Sequence, residues 1–404
     1  MDKRTINGWC FYDFGNSAFA VIFPVIYGTF YAESVVGGTR GDRWWGYIGS
    51  CSMLLVALSS PFVGGIADHA GVRKRMLLVY TLAGIAAVLG FATVGPGAVL
   101  LGFALGAVAN LAFEGGVVFY NAYLLEIAPV SHQGRVSARG FAFGYVGSFV
   151  ALGLAAFLLW DRLGLGVSAV WVACAAQWGV AGAFAISRLP ADRASGLGIP
   201  AAASLGFRKT FATLRDVLAR KNLRRFLLAY FIYEDGVNTV IWFAPIYARK
   251  DFGFGAGELL LMYGFLQVAA VGGSVLMGKP TDVKGPRWAV RTLLLWWVFV
   301  VVTAFLAPSK PFLWAAAMLA GLGIGGIQSA SRAFMSRLVP EGREAEFFGF
   351  YALCGKTGAI MGPILFGTIA DVTDSRRVAI LLVILFYATG FLLLGRVDAK
   401  GDAA

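Results

Sequence analysis

Two short stretches carry acidic residues inside apolar sequence. The first is Tyr12-Asp13-Phe14-Gly15-Asn16-Ser17, and the second, far downstream, is Tyr233-Glu234-Asp235-Gly236-Val237-Asn238. Aligning Pro24 with Pro245 also pairs Tyr12 with Tyr233, Asp13 with Glu234 and Gly15 with Gly236. An ionisable side chain at membrane depth is costly unless it faces protein or water, so each of these acids is a functional candidate by default. A carboxylate in a low-dielectric cavity can take a proton from one side and release it to the other. That chemistry assigns proton coupling to Glu234 or Asp235, with Asp13 in second place.

Other polar residues in apolar stretches could hold a solute. Asn110, Glu114 and Asn121 are spaced to share one helical face. Glu114 is the candidate for a substrate cation such as an α-ammonium, and Lys356 or Arg332 for a carboxylate or another anion. Tyr12, Asn16, Asn238 and Gln328 complete the polar set, and Trp242 is placed to stack on a substrate. Charges of both signs suit a zwitterion. The competing reading is structural, with Lys356 neutralising Asp235 or Glu234 and holding two helices together. Packing in the same way explains most of the glycines near Glu114 and Gln328.

The elements that must position these groups are membrane helices. The 404 residues are 58% hydrophobic and 14% charged, against about a quarter charged in soluble domains. Mean hydropathy is +0.73. Apolar runs long enough to cross a bilayer predict twelve spans, near 8–32, 44–67, 76–94, 98–126, 140–160, 167–187, 224–248, 258–278, 288–307, 311–338, 347–370 and 377–396. The expected fold is all-α and membrane-integral, with two pseudo-repeated six-helix bundles. Its domains are 1–187, a cytoplasmic linker 188–223, and 224–404. From Leu205 to Asn222, Phe207, Phe211, Leu214 and Leu218 lie opposite basic residues, which predicts an amphipathic helix on the anionic cytoplasmic leaflet. The alternative is a solvated basic linker.

The net charge of +12 does not point to nucleic acid, because Lys and Arg concentrate in alternate loops. That positive-inside pattern places both termini in the cytoplasm. No cleavable leader is expected, the first span serving as its own insertion signal. The 4 cysteines and 2 histidines show no metal-ligand spacing, so neither a metal nor a cofactor is expected. No nucleophile motif, zinc-protease motif or P-loop is present, which argues against an enzyme. No selectivity-filter run argues for a channel. A sensor that binds without transporting would have the same sequence features.

A repeat extends beyond the two acidic stretches. Gly64-x-x-x-Asp68-x-x-Gly71-x-Arg73 follows span two, and Gly278-x-x-x-Asp282-x-x-Gly285-x-Arg287 follows span eight. Pro129…Gly134-Arg135 is answered by Pro340…Gly342-Arg343. The G-x-x-x-D-x-x-G-x-R loops resemble the signature of the major facilitator superfamily. The runs YDFGNSAF, GGIADHAGVRK, FYNAYLLEI and VPEGREAEFFGFY resemble more narrowly its vacuole effluxer branch, which includes the fungal autophagy amino-acid effluxers.

The resemblance implies a secondary transporter working by alternating access, with spans 1, 4, 7 and 10 lining the central cavity. It implies amino-acid or peptide-like solutes and export. An anionic or drug-like solute is the alternative. Partners would be that solute, protons and membrane lipids, with the chain a monomer in a bacterial inner membrane. The signature loops read as gates: Asp68 and Asp282 would accept from the N-termini of neighbouring helices. Arg73, Arg139 and Arg287 would pair with acids including Glu344 and Glu346, and Glu126 would bridge to a loop arginine.

Overall fold

The computed structural model describes residues 2–37, 40–192, 204, 211–357, 361–373 and 375–398. The described chain is helical. In order come α1 (Lys3–Ile22), α2 (Gly41–Ala70), α3 (Arg73–Gly90), α4 (Val99–Ile127), α5 (Gln133–Leu158) and α6 (Ser168–Arg188). After the linker come α7 (Lys221–Phe252), α8 (Ala256–Lys284), α9 (Pro286–Leu306) and α10 (Lys310–Leu338). The last three are α11 (Glu344–Thr357), α12 (Met361–Val372) and α13 (Arg376–Gly395).

Local chemistry accounts for where the helices start, change pitch and stop. Asp2 caps α1, its carboxylate accepting from the amides of Arg4 and Thr5. Beyond Ile22 the helix widens into π turns over Phe23–Tyr27 and Phe30–Val36. Pro24 has no N–H to give, and Gly28 donates to the carbonyl of Phe23, five residues back. Helices α2 and α8 stop where a residue with positive φ is required: Gly71 has φ 64° and Gly285 has φ 88°. These are the second glycines of the two repeated loops, so the spacing seen in the sequence marks two helix ends that each need a positive φ.

Among the described residues, 10 helices are long and apolar enough to cross a membrane. Helix α7 is set apart by its charged ends and by Glu234 and Asp235, and span eleven is described as the shorter helices α11 and α12. Outward-facing Leu54, Leu58, Leu82, Val180, Leu261 and Leu276 are exposed, as expected of helices apolar on the side that meets lipid. Helical residues 211–219 expose Phe211, Leu214 and Leu218 while burying Thr213 and Val217. Phe207 and the rest of the expected linker helix before 211 lie outside the described residues.

The helices form two compact units. Unit 1 comprises 1–127, 143–210 and 342–350, and unit 2 comprises 128–142, 211–341 and 351–404. The start of α5 falls in unit 2 and the start of α11 in unit 1. In unit 1, α1 packs on α6, and α4 on both α2 and α3. Its aromatic core joins Tyr27 to Phe91 at 3.8 Å between ring centroids, with Trp171 and Trp178 buried beside them. In unit 2, α8 and α9 pack on α10, and α7 on α13. The glycines of α4 and α10 serve this packing: Gly115 faces the Tyr80 ring, Gly102 faces Tyr31, and Gly325 meets the α8 backbone at Ala270.

Candidate functional site

Unit 1 gathers its polar residues on α1, α3 and α4. The Tyr120 hydroxyl donates to Asp13 at 3.1 Å. Its ring stacks on Trp9 at 4.4 Å and lies against Tyr12 at 5.2 Å. Tyr12 in turn shares a 2.9 Å hydrogen bond with Thr81. Gly144 of α5 lies against Asp13 and Ser17, where a Cβ would fall 2.8 Å from the Ser17 hydroxyl; a side chain there would crowd the carboxylate. Asn16 is buried, and its Oδ1 has no hydrogen-bond partner among the described residues. On α4, Asn110 donates to Ser52 at 2.8 Å, and Glu114 and Asn121 are both buried.

Unit 2 holds a second cluster on α7, α10, α11 and α13. Glu234 and Lys356 lie within electrostatic reach of each other. Tyr230 lies one turn before Glu234 on α7, with its ring 5.6 Å from that of Tyr233, and buried Tyr387 lies on α13. Tyr230 and Tyr351 stack at 4.1 Å, and Tyr233 hydrogen-bonds Ser331 at 2.7 Å. A half-buried carboxylate thus shares unit 2 with a cation and a cluster of tyrosine rings from α7 and α11. Asn238 and Gln328 are half-buried on α7 and α10. The side chain of Trp242 lies outside the described residues.

Two residues, one expected to carry protons and one to bind solute, make structural contacts here. Asp235 is fully buried, and both its oxygens accept from the Gly362 amide, at 2.9 and 2.8 Å. That amide lies at the beginning of the described α12. Asp235 therefore anchors α12, whereas the sequence offered it as a proton carrier on equal terms with Glu234. Arg332 is also buried. It donates to the Ser137 hydroxyl at 2.9 Å and the Ser137 carbonyl at 2.6 Å, with its guanidinium 3.9 Å from the Phe141 ring centroid. Its charge and fork hold α10 to the start of α5 instead of facing a solute.

The two repeated loops make matching contacts. Asp68 accepts from the Glu346 amide of α11 at 2.9 Å. Asp282 accepts from the amides of Gly134 and Arg135 in α5, at 2.7 and 3.1 Å. Each aspartate thus caps the N-terminus of another helix, neutralising donors that the helix cannot satisfy itself. These caps draw the starts of α11 and α5 into units 1 and 2 respectively. The cations differ between the two loops. Arg73 reaches Asp68 at 2.8 Å, Glu344 at 2.7 Å and Glu126 at 3.6 Å. Its counterpart Arg287 donates to the Gly395 carbonyl, and Arg135 takes its place on Asp282 at 2.7 Å. Glu346 pairs with Arg343, and Arg139 lies on α5 within unit 2.

Sequence reasoning missed Tyr120, Tyr230, Tyr351 and Tyr387. The available signal was a hydroxyl carried on an otherwise apolar helical face, which hydropathy counts as ordinary core.

This helical arrangement is the fold of major facilitator transporters. The human organic anion transporter MFSD10 (TETRAN) superposes with a TM-score of 0.78 at 17% identity, covering 97% of this chain and 99% of that one. The proton:xylose symporter XylE superposes with 0.74 at 13% identity, covering 98% and 95%. Within that class the chain belongs to the family described as vacuole effluxer Atg22 like, whose model matches residues 45–130 and 125–403. A Bacillus subtilis relative, the uncharacterized MFS-type transporter YxiO, is 32% identical over 98% of this chain and 95% of its own length. Autophagy-related protein 22 of Yarrowia lipolytica is 24% identical over 88% of this chain and 76% of its own length.

Proposed function

We propose that this secondary transporter moves a small zwitterionic solute, an amino acid or a peptide-like molecule, and that it does so with proton coupling through Glu234. The observation that carries the reading is Glu234, a half-buried acid on α7 one turn from Tyr230, whose ring stacks on Tyr351, with Lys356 of α11 within electrostatic reach. In a low-dielectric setting each charge is costly without the other. Protonation of Glu234 removes the partner of Lys356, which then favours a solute carboxylate. Binding of that carboxylate and protonation of Glu234 are thereby linked.

Asp13, held by Tyr120, and buried Glu114 supply the negative charge that an α-ammonium group requires. The zwitterion is preferred over a simple anion because Arg332 is bound to Ser137, so the reading assigns a solute carboxylate to Lys356. Export follows the vacuole effluxer character of the family. A bacterial inner membrane suits the Bacillus relative.

The test is solute counterflow and pH-driven uptake in proteoliposomes, screening amino acids and dipeptides. Glu234→Gln should retain solute exchange and lose the response to a pH gradient. Unchanged pH dependence in that variant would remove Glu234 from the coupling step. Exchange of inorganic or monocarboxylic anions alone, with no zwitterion moved, would favour the anion carrier.

A further inference from the structure

A cleft of about 550 Å³ lies within unit 2, at the ends of α8, α9, α10 and α13. Four cations line it: Lys284, Arg287, Arg291 and Arg337, against a single acid, Asp398. Their positions at helix ends follow from the chain. Lys284 closes α8, Arg287 and Arg291 occupy the first two turns of α9, and Arg337 lies in the last turn of α10. The positive-inside pattern assigns these ends to the cytoplasmic face.

The cations are fixed but incompletely used. Arg287 donates to the Gly395 carbonyl at 2.6 Å. Arg291 lies 4.0 Å from the Phe391 ring centroid and Lys284 lies 4.3 Å from that of Trp288. Arg337 donates to the Val130 and Thr281 carbonyls at 3.5 Å and reaches Asp282 at 3.9 Å, the carboxylate already engaged by Arg135 and two amides. The Nε atoms of Arg291 and Arg337 are buried and have no hydrogen-bond partner among the described residues. A buried donor left without an acceptor is costly, more so when charged, so two such donors in one cationic cleft point to an anionic acceptor.

The remainder of the cleft indicates what carries the anion. Leu295, one turn deeper on α9, lines it and is 56% exposed, and Trp288 at its rim is 38% exposed. An amphipathic tryptophan beside lysine and arginine marks headgroup depth, and an exposed leucine below it offers a surface for an acyl chain. We propose that this cleft binds the phosphate headgroup of an anionic phospholipid from the cytoplasmic leaflet. Arginine forks and a lysine point charge are suited to phosphate oxygens, and basic pockets between membrane helices bind such headgroups.

The experiment titrates the purified full-length protein in detergent with phosphatidylglycerol, phosphatidylcholine or inorganic phosphate, reading bound lipid by native mass spectrometry and unfolding by thermal melting. Phosphatidylglycerol should bind saturably and raise the melting temperature, and the other two should not. Lys284→Gln, at an exposed position, should weaken binding about fivefold. Arg291→Gln combined with Arg337→Gln should weaken it further, with the melting temperature in phosphatidylcholine kept. If the double variant does not fold, Lys284→Gln alone decides. Equal phosphatidylglycerol retention by wild type and Lys284→Gln would overturn the proposal. An equal shift with inorganic phosphate would overturn the lipid assignment and leave a free-phosphate site.

Discussion

Asp235 and Glu234 are sequence neighbours with different work. Asp235 accepts from the Gly362 amide with both oxygens, and Glu234 lies within electrostatic reach of Lys356. Replacing Asp235 by Ala should therefore destabilise the protein by about 1.5–3 kcal/mol, the range for a hydrogen bond to a charged group. Asp235→Asn keeps an acceptor oxygen and should cost a few tenths. Thermal melting separates the two variants, and the pH response of transport should survive in Asp235→Asn. Loss of pH response in Asp235→Asn, with the melting temperature unchanged, would return Asp235 to the coupling role. Acids in apolar runs were conspicuous in the sequence because their cost makes them stand out. Tyr120 was not, since a tyrosine reads as apolar until its hydroxyl is seen donating to a carboxylate.

At the scale of elements, the two signature loops place a carboxylate on the start of another helix and differ in how that carboxylate is neutralised. Arg73 is only 16% exposed at its side chain and serves three acids. Arg135 is 47% exposed and serves one. Removing Arg73 leaves Asp68, Glu344 and Glu126 facing one another, and breaking a buried pair costs about 3–5 kcal/mol. An exposed pair is worth under about 1 kcal/mol. Arg73→Gln should thus lower the melting temperature far more than Arg135→Gln. Asp282→Ala, which loses two backbone donors as well as the ion pair, should exceed Arg135→Gln. Equal effects of Arg73→Gln and Arg135→Gln would mean that the two loops are equivalent. The spacing of Gly71 and Gly285 was legible as a repeat; the identity of the capped helices was not, because α2 and α11 are far apart in the chain.

For the whole molecule, charge distribution makes the sharpest prediction. With Lys and Arg concentrated in alternate loops, both termini should face the cytoplasm. A green fluorescent protein fused after residue 404 should fluoresce, and alkaline phosphatase at the same place should be inactive; the reverse pair of results would invert the topology. The same bias concentrates cations at the helix ends that form the cleft of unit 2. The exposed Phe211, Leu214 and Leu218 of the linker form a second apolar strip beside basic sequence.

The amino-acid sequence by itself determined the membrane class, the repeat and the family, because each depends on local quantities: hydropathy over a span, turn glycines at fixed spacing, and motif identity. It also picked out Asp13, Glu114, Glu234 and Lys356, since a charge in an apolar run can be detected without knowing its neighbours. Only the tertiary structure decided which of two adjacent acids is free of a helix start, that Arg332 is taken by Ser137, and that Arg287 turns to Gly395 while Arg135 serves Asp282. Those outcomes depend on which backbone donors and carbonyls from distant helices arrive within hydrogen-bonding distance. That distance is about 3 Å, and no periodicity along one chain encodes it.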